Sequence, residues 1–375
     1  MSIVAISHTQ LINALTLRDL TDTQQGPHAM QLLITEVQQA LEQTWPCYLQ
    51  RLNHNPVVRT TANYDDLGYP DDGPAREARY SRYLTDNLML RTQTSSAIPA
   101  WLRGWSHGNH PDCLGALSHG LVYRRDSIDR WHTGEPHQLD VWLLLDRETC
   151  GQQDIVATAV NVIFNRVLPD CAITLSDSPH PYTENGLQID ARNPAGEIVE
   201  VGECGRISPA LLARCGWDPE ETTGIAMGIG LDRVLMLRKN IPDIRLLRHQ
   251  DSRIQAQMQD LEPWQEVSFQ PTIKRDLSLA VNEDINVEIL GDLVRELLHD
   301  QGDLLEEVII VSETPYLNLP NTAVERLGMR PGQKNVLLRL VMRHPTRSIS
   351  NPEANLLRNQ IYRALHQGQR HMMAE

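Results

Sequence analysis

A chain of 375 residues is long enough for two domains, one of them large. Apolar residues make up 41% with no long apolar run, which excludes a membrane-spanning helix. A net charge of −14 argues against a general nucleic-acid binder, whose phosphate contacts need local positive charge. Six scattered cysteines without a CxxC pair make zinc and a disulfide framework unexpected and fit reduced thiols in a cytoplasm. The first residues, MSIVAISH, read as neither signal nor transit peptide.

In chain order, residues 28–52 carry helical periodicity, with Leu32, Leu33, Val37, Leu41 and Leu49 roughly on one side. Residues 1–60 therefore read as an appended helical element without chemistry of their own. Residues 120–140, GLVYRRDSIDRWHTGEPHQLD, read as strand, polar loop, strand. Strand alternation puts Arg124 and Asp126 on one side, and Gln138 and Asp140 on one face after the loop. Those groups with a loop histidine could surround a polyanionic, amine-bearing ligand; a solvated hairpin with its charges outside is an equal reading. Residues 224–238 are a glycine-rich strand entering an apolar helix, with Arg233 in the first turn, where unpaired N–H groups favour phosphate. Such a junction alone also serves close packing. Residues 255–265 read as a connector. Beyond residue 269 come a strand (273–281), a helix (287–298), strands (305–311 and 335–342) and a helix (353–365), a small α+β sandwich of split βαβ type. The loop 315–331 is long for such a hairpin. Residues 326–352 hold six cations and no acidic residue, which marks either a solvated face or the side of a partner.

YRRDSID…H…HQLD, followed about a hundred residues later by GIAMGIGLDR, resembles motifs two and three of class II aminoacyl-tRNA synthetases. NYDDLGYPDDGPAR (63–76), LRTQTS (90–95) and IPDIRLL (241–247) narrow the resemblance to the phenylalanyl-tRNA synthetases, in the single-chain mitochondrial form. It runs in order from about residue 60 onward. The resemblance implies an α+β fold: an antiparallel class II synthetase sheet with flanking helices over residues 61–250, a linker over 251–268, and a ferredoxin-like anticodon-binding domain over 269–375. It also implies the reaction. An amino acid, phenylalanine for preference, attacks the α-phosphate of ATP with Mg²⁺ present, and the adenylate is passed to tRNA. A monomer or homodimer in the cytoplasm, with no membrane, is the expected setting.

Neither step needs a protein nucleophile, so positioning and cations carry catalysis. By resemblance, Arg124 holds the α-phosphate and the substrate carboxylate, and Arg233 clamps the γ-phosphate; these two are the expected catalytic residues. Asp126 stands near the adenine and His132 reaches the γ-phosphate. Glu200 matches a carboxylate that holds Mg²⁺, a hard cation that prefers oxygen ligands, though a surface strand glutamate is the plainer reading. Gln138 and Asp140 match the pair that holds the substrate ammonium, with Ser95 beside them. Arg339, Arg343 and Arg347, on one edge of the small domain, are the expected tRNA contacts.

The side-chain pocket departs from the family. Its Phe-Pro-Phe-Thr is here HPYT (180–183), and its Gly-Phe-Ala-Phe-Gly is GIAMG (224–228), which keeps Ala226 and the room it leaves for a benzyl group. Gln93 replaces a histidine, Asp140 a glutamate, and Pro136 the phenylalanine that stacks on adenine. Glu203 and Arg206 interrupt a stretch that is normally apolar or glycine. The pocket therefore either takes phenylalanine through Tyr182, Ile225 and Met227, or hydrogen-bonds a more polar side chain through His180 and Tyr182. Two further alternatives are transfer to a non-tRNA acceptor, which the apparent anticodon domain disfavours, and a non-catalytic RNA-binding relative, which the complete phosphate-binding set disfavours.

Overall fold

Ser7 and Gln10 close a capping box on α1 (His8–Thr16), and the His28 side chain caps α2 (Ala29–Thr44). Met30, Leu33, Ile34, Val37 and Leu41 bury the inner face of α2. The helix is shorter than its periodicity announces. Pro46 follows its last turn and cannot continue it, so Leu49 lies in a strand, while Leu32 is 42% exposed.

The computed structural model describes residues 5–77, 80–107, 110–150 and 154–371 and divides into two units. Residues 1–124, 135–242 and 255–264 form the first; residues 125–134, 243–254 and 265–375 form the second. Of the amino-terminal stretch read above, residues 1–4 lie outside the described residues.

After β1 (Tyr48–Leu52), β2 (Val57–Arg59), α3 (Thr60–Asn63), β3 (Leu88–Leu90) and α4 (Ile98–Trp105), the first unit builds its main sheet. Its strands are β4 (Cys113–Leu121), β5 (His137–Asp146), β6 (Ala172–Asp177), β7 (Thr183–Arg192), β8 (Ile198–Ile207) and β9 (Thr222–Gly230), joined by β1. The order is β1-β4-β5-β9-β8-β7-β6, antiparallel throughout except for the parallel pair β1–β4. The connecting helices are α5 (Arg147–Cys150), α6 (Ile155–Val167), α7 (Pro209–Arg214) and α8 (Leu231–Lys239). Alternation along β5 sets its two faces. Leu139, Val141 and Leu143 are buried on one side; Trp142 and Leu144, on the other, pack with residues of α4 and α7. Gln138 and Asp140 share that second face.

One thiol expectation fails. Cys47, ahead of β1, and Cys113, the first residue of β4, are joined as a disulfide with Cα atoms 4.5 Å apart. The β1–β4 register brings them together, and no local spacing announces that pairing. Cys171, Cys204 and Cys215 are free, and the side chain of Cys150 lies outside the described residues.

The connector contains α9 (Ser252–Gln257), and residues 255–264 belong to the first unit. The Met258 carbonyl accepts the Ala29 N–H, and buried Lys239 donates to Asp260 at 2.8 Å. In the second unit come β10 (Ile273–Asn282), α10 (Val287–Leu298), β11 (Leu305–Pro315), α11 (Asn321–Leu327), β12 (Gln333–Met342) and α12 (Asn351–Leu365). The antiparallel order β10-β12-β11 splits the β10–α10–β11 unit with β12, as the sequence pattern requires. The long loop is not slack. It holds α11, and Tyr316, Leu319 and Val324 pack on Ala280, Leu327 and Met329.

Arg339 lies on β12, the central strand, and Arg343 and Arg347 follow its end. Arg339 pairs with Asp276 at 2.8 Å, Arg343 with Glu306 at 2.6 Å and Arg347 with Glu353 at 2.7 Å. No helix among the described residues is long and apolar enough to cross a membrane.

Candidate active site

The centre of the first unit's sheet carries a chain of polar groups. Arg124 donates through Nε to the Thr92 carbonyl at 2.9 Å and through Nη2 to Gln138 Oε1 at 3.3 Å. Gln138 Nε2 donates to Asp140 Oδ1 at 3.0 Å, and the Ser95 hydroxyl donates to Asp140 Oδ2. β5 supplies Gln138 and Asp140 on one face; Ser95 comes from the turn following β3. Opposite Asp140 on β9 is Gly228, where an added Cβ would sit 3.0 Å from Gln138 Nε2 and 3.3 Å from Asp140 Oδ1. Glycine keeps that space open. Asp140 is 1% exposed, and burial lifts its carboxyl to about 6 against the lowering pull of Ser95, Thr94, Arg124 and Arg91. A cation at this carboxylate and a carboxylate at the guanidinium would be bridged by one amide, the layout an α-amino acid needs.

The adjoining wall is the part that departs from the family. Tyr182 lies 5.7 Å from Trp142, 6.3 Å from Tyr69 and 6.0 Å from His180, ring centroid to centroid. Burial, with Tyr69, Asp140 and Glu203 nearby, pushes the Tyr182 hydroxyl well above its ordinary value; a Ser95 hydrogen bond opposes this. His180 Nε2 meets Glu203 Oε2 at 2.8 Å, and Ser178 Oγ reaches Glu203 at 3.4 Å. Burial works against ionisation of Glu203, but the His180 hydrogen bond and charge, with Arg124, hold its carboxyl below the usual range. Gly186 makes the histidine's seat. A Cβ there would lie 2.6 Å from His180 Nδ1 and 2.2 Å from the Ser178 carbonyl. Gln93, in the histidine position, accepts from the Tyr69 hydroxyl at 3.2 Å and donates to the Asn63 carbonyl at 2.9 Å. Trp142 pairs across the strands with Ala226, and both are buried.

At the far end of the face, Arg233 in the first turn of α8 donates to the Glu200 carbonyl at 3.0 Å, with Glu200 Oε2 3.8 Å away. A bulge in β8 puts Glu200 opposite Asp190 and Glu203 opposite Gln188. Asp190 and Glu200 are thus cross-strand neighbours, with Arg233 against Glu200. Among the described residues no three His, Cys, Asp or Glu side chains gather to hold a metal on protein ligands alone. Glu200 and Asp190 suit Mg²⁺ all the same, since it is commonly held by one or two carboxylates plus substrate phosphates.

Asp126 and His132 fall in the second unit, within residues 125–134. Residues 122–128 adopt no strand, so the alternation expected for Arg124 and Asp126 does not apply. The Asp126 carbonyl accepts from Arg295 Nη1, as the Ser127 carbonyl does from Nη2. His132 Nδ1 is 2.7 Å from Asp129 Oδ2; burial opposes ionisation of Asp129, but hydrogen bonds from His132 and the Trp131 N–H hold its carboxyl low.

Of the residues read from the sequence, the fold assembles Ser95, Arg124, Gln138, Asp140, His180 and Tyr182, with Ala226 beneath Trp142. Arg233 and Glu200 pair with each other. Trp142, Tyr69 and Asp190 escaped the sequence reading. Trp142 was within reach of it, being two residues beyond Asp140 on one strand and so on the same face. Tyr69 arrives from a loop, and Asp190 depends on a bulge.

The family described as tRNA synthetases class II core domain (F) matches residues 15–258. The Phenylalanine--tRNA ligase alpha subunit of Prochlorococcus marinus is 34% identical over 208 residues, 55% of this chain and 59% of that protein. The chain thus spans under two thirds of that relative's length. The mitochondrial Phenylalanine--tRNA ligase of Saccharomyces cerevisiae is 26% identical over 385 residues, 82% of this chain and 80% of that protein. The alpha subunit of Lactiplantibacillus plantarum is 31% identical, covering 62% of this chain and 68% of its own. A pyrrolysyl tRNA synthetase structure from Desulfitobacterium hafniense overlays 65% of this chain and 78% of its own at TM-score 0.45 and 16% identity, too loosely to bear on function. The chain belongs to the class II aminoacyl-tRNA synthetase core family.

Proposed function

We propose that the chain activates an amino acid with ATP as the adenylate and transfers it to tRNA, in the manner of the phenylalanine--tRNA ligases it resembles. The linked set Arg124–Gln138–Asp140–Ser95 carries this reading, because it pairs a cation for carboxylate and phosphate with a buried anion for ammonium. Arg124 orients the substrate carboxylate toward the α-phosphate, and Arg233 holds the distal phosphates. Asp126 and His132 keep their expected nucleotide contacts only as family carry-overs. Glu200 and Asp190 would hold Mg²⁺, which supplies charge neutralisation on the phosphate oxygens. Pyrophosphate exchange with each amino acid in turn, without tRNA, tests this directly. Exchange with none would end the proposal. A cytoplasmic location belongs to the same reading; the mitochondrial placement is that of the Saccharomyces cerevisiae relative's name.

Phenylalanine is the amino acid that the relatives' names supply. The His180–Glu203 pair favours a second reading, in which the pocket takes a more polar side chain. Centroid separations from 5.7 to 6.3 Å are those of rings already in contact, so Tyr182 and its neighbours occupy the wall themselves.

Asp140 gives a pH signature. The substrate ammonium needs the carboxylate, so KM for the amino acid should fall as pH rises through about 6 and level off above it. Asp140→Asn should remove that inflection and raise KM sharply. The stability sign is opposite. A carboxyl lifted by burial stabilises the fold most below its unfolded pKa and loses that contribution as pH rises through about 6, so Asp140→Asn should melt higher at neutral pH. A flat KM profile between pH 5 and 7 would remove Asp140 from the ammonium site.

The second unit is proposed as the tRNA-reading domain, with Arg339, Arg343 and Arg347 as contacts. Neutralising all three should weaken tRNA binding and flatten its salt dependence by about one unit of slope per lost phosphate contact, with tRNA-free activation untouched. Equal affinity before and after would leave the three pairs as solvated surface bridges.

A further inference from the structure

Residues 1–60 hold no catalytic motif, yet Leu20 and Thr21 are buried against the ends of β4 and β5. Asp19 Oδ1 accepts from the Thr21 N–H at 2.8 Å and its hydroxyl at 2.7 Å, and Asp19 Oδ2 accepts the Leu121 N–H at 3.3 Å. Thr21 Oγ1 also lies 3.0 Å from His119 Nδ1. This tight turn presents the Leu20 N–H to His137 Nε2 at 3.0 Å.

That contact decides the histidine's proton. A ring nitrogen that accepts a backbone N–H cannot carry a hydrogen, so the neutral ring bears its proton on Nδ1. Nδ1 lies 3.1 Å from Asp232 Oδ1, and the His137 N–H donates to Asp232 Oδ2 at 2.5 Å. Both carboxylate oxygens of Asp232 are thereby engaged by one residue. His137 is fully buried and Asp232 3% exposed. Asp232 stands in the first turn of α8, immediately before Arg233; His137 immediately precedes Gln138.

We propose that residues 19–21 are a positioning element of the ATP site: they lock the His137 tautomer, His137 then seats Asp232, and the seated turn aims Arg233 across the sheet face beside Glu200. The inference rests on the reading that Arg233 binds ATP. The reach argued for is through Asp232 to Arg233, so it concerns nucleotide binding.

Two conservative changes separate the arms. His137→Gln can still accept the Leu20 N–H but has no donor at the Nδ1 position. His137→Asn keeps that donor and loses the long acceptor. Each variant loses one buried hydrogen bond, so a merely structural histidine predicts equal effects. The positioning role predicts that His137→Gln weakens Mg·ATP binding about tenfold in calorimetry, the loss expected for one charge-assisted hydrogen bond, while KM for the amino acid moves less than twofold. His137→Asn should recover most of the affinity. Asp19→Asn, which loosens the turn holding Leu20, should weaken Mg·ATP binding in the same direction and by less.

A second measurement needs no altered fold. Nitrogen-15 spectra of the unaltered protein should place the His137 ring proton on Nδ1 and none on Nε2. Protonation at Nε2, or equal ATP affinity in the Gln and Asn variants, would overturn the proposal. Failure of the unaltered protein to bind Mg·ATP would overturn the synthetase reading and this inference with it; unchanged affinity in the variants would overturn this inference alone.

Discussion

Adenylate formation should fall about a hundredfold or more when Arg124 or Arg233 is replaced by alanine, the scale for removing one preorganised charge partner from a transition state. The two losses should differ in kind. Arg124 contacts Gln138 and lies in the electrostatic reach of Asp140, so Arg124→Ala should lower kcat and raise KM for the amino acid together. Arg233 touches the Glu200 strand, so Arg233→Ala should act on ATP and leave amino-acid KM near the parent value. Arg124 is exposed and Arg233 part-exposed, so neither change empties the core and melting should barely move. Pyrophosphate exchange at several concentrations of each substrate gives the split. Parent rates in both variants would dismantle the site.

A shift in amino-acid preference of at least tenfold toward phenylalanine is expected from His180→Phe, Tyr182→Phe and Glu203→Gly combined, if the pocket is polar. The three belong together. Replacing His180 alone would leave the Glu203 carboxylate without its main partner, a loss unrelated to selectivity. Trp142→Leu should add to the shift by opening the face opposite Ala226. Sites that hydrogen-bond a substrate group reject analogues lacking it far more strongly than apolar pockets reject an extra group. With a polar pocket the unaltered protein should therefore activate a hydrogen-bonding amino acid well above phenylalanine. If it already prefers phenylalanine and the combined change does little, the pocket is an ordinary aromatic one built from different residues.

Much of this was legible without coordinates because it rests on local periodicity. Alternation in residues 138–145 put Gln138 and Asp140 on one face, and the glycine-rich run ending at Arg233 announced a strand entering a helix; both hold. The strands and helices beyond residue 269 follow their apolar periods closely, and their split βαβ order is the one realised. The departures of His180 and Glu203 from the family could also be read directly, but not that they meet. They lie on different segments, and a 2.8 Å contact depends on the register of β7 with β8 and on Gly186 leaving room for the ring.

Tertiary structure decided the rest, for one physical reason: pairing between distant segments has no signature in local spacing. The parallel β1–β4 pair joined two cysteines that spacing left apart, and Arg339, Arg343 and Arg347 met carboxylates on β10, β11 and α12. The hairpin between Arg124 and Gln138 looked continuous in sequence, yet its loop packs with the second unit, because Arg295 captures the carbonyls of Asp126 and Ser127. Residues 19–21 carry no motif because their contribution is a backbone N–H at Leu20, a group every residue but proline carries, while β1 of the same stretch joins the main sheet. Side-chain type and spacing can point to chemistry. Which backbone donor fixes which histidine is settled only when the chain has folded.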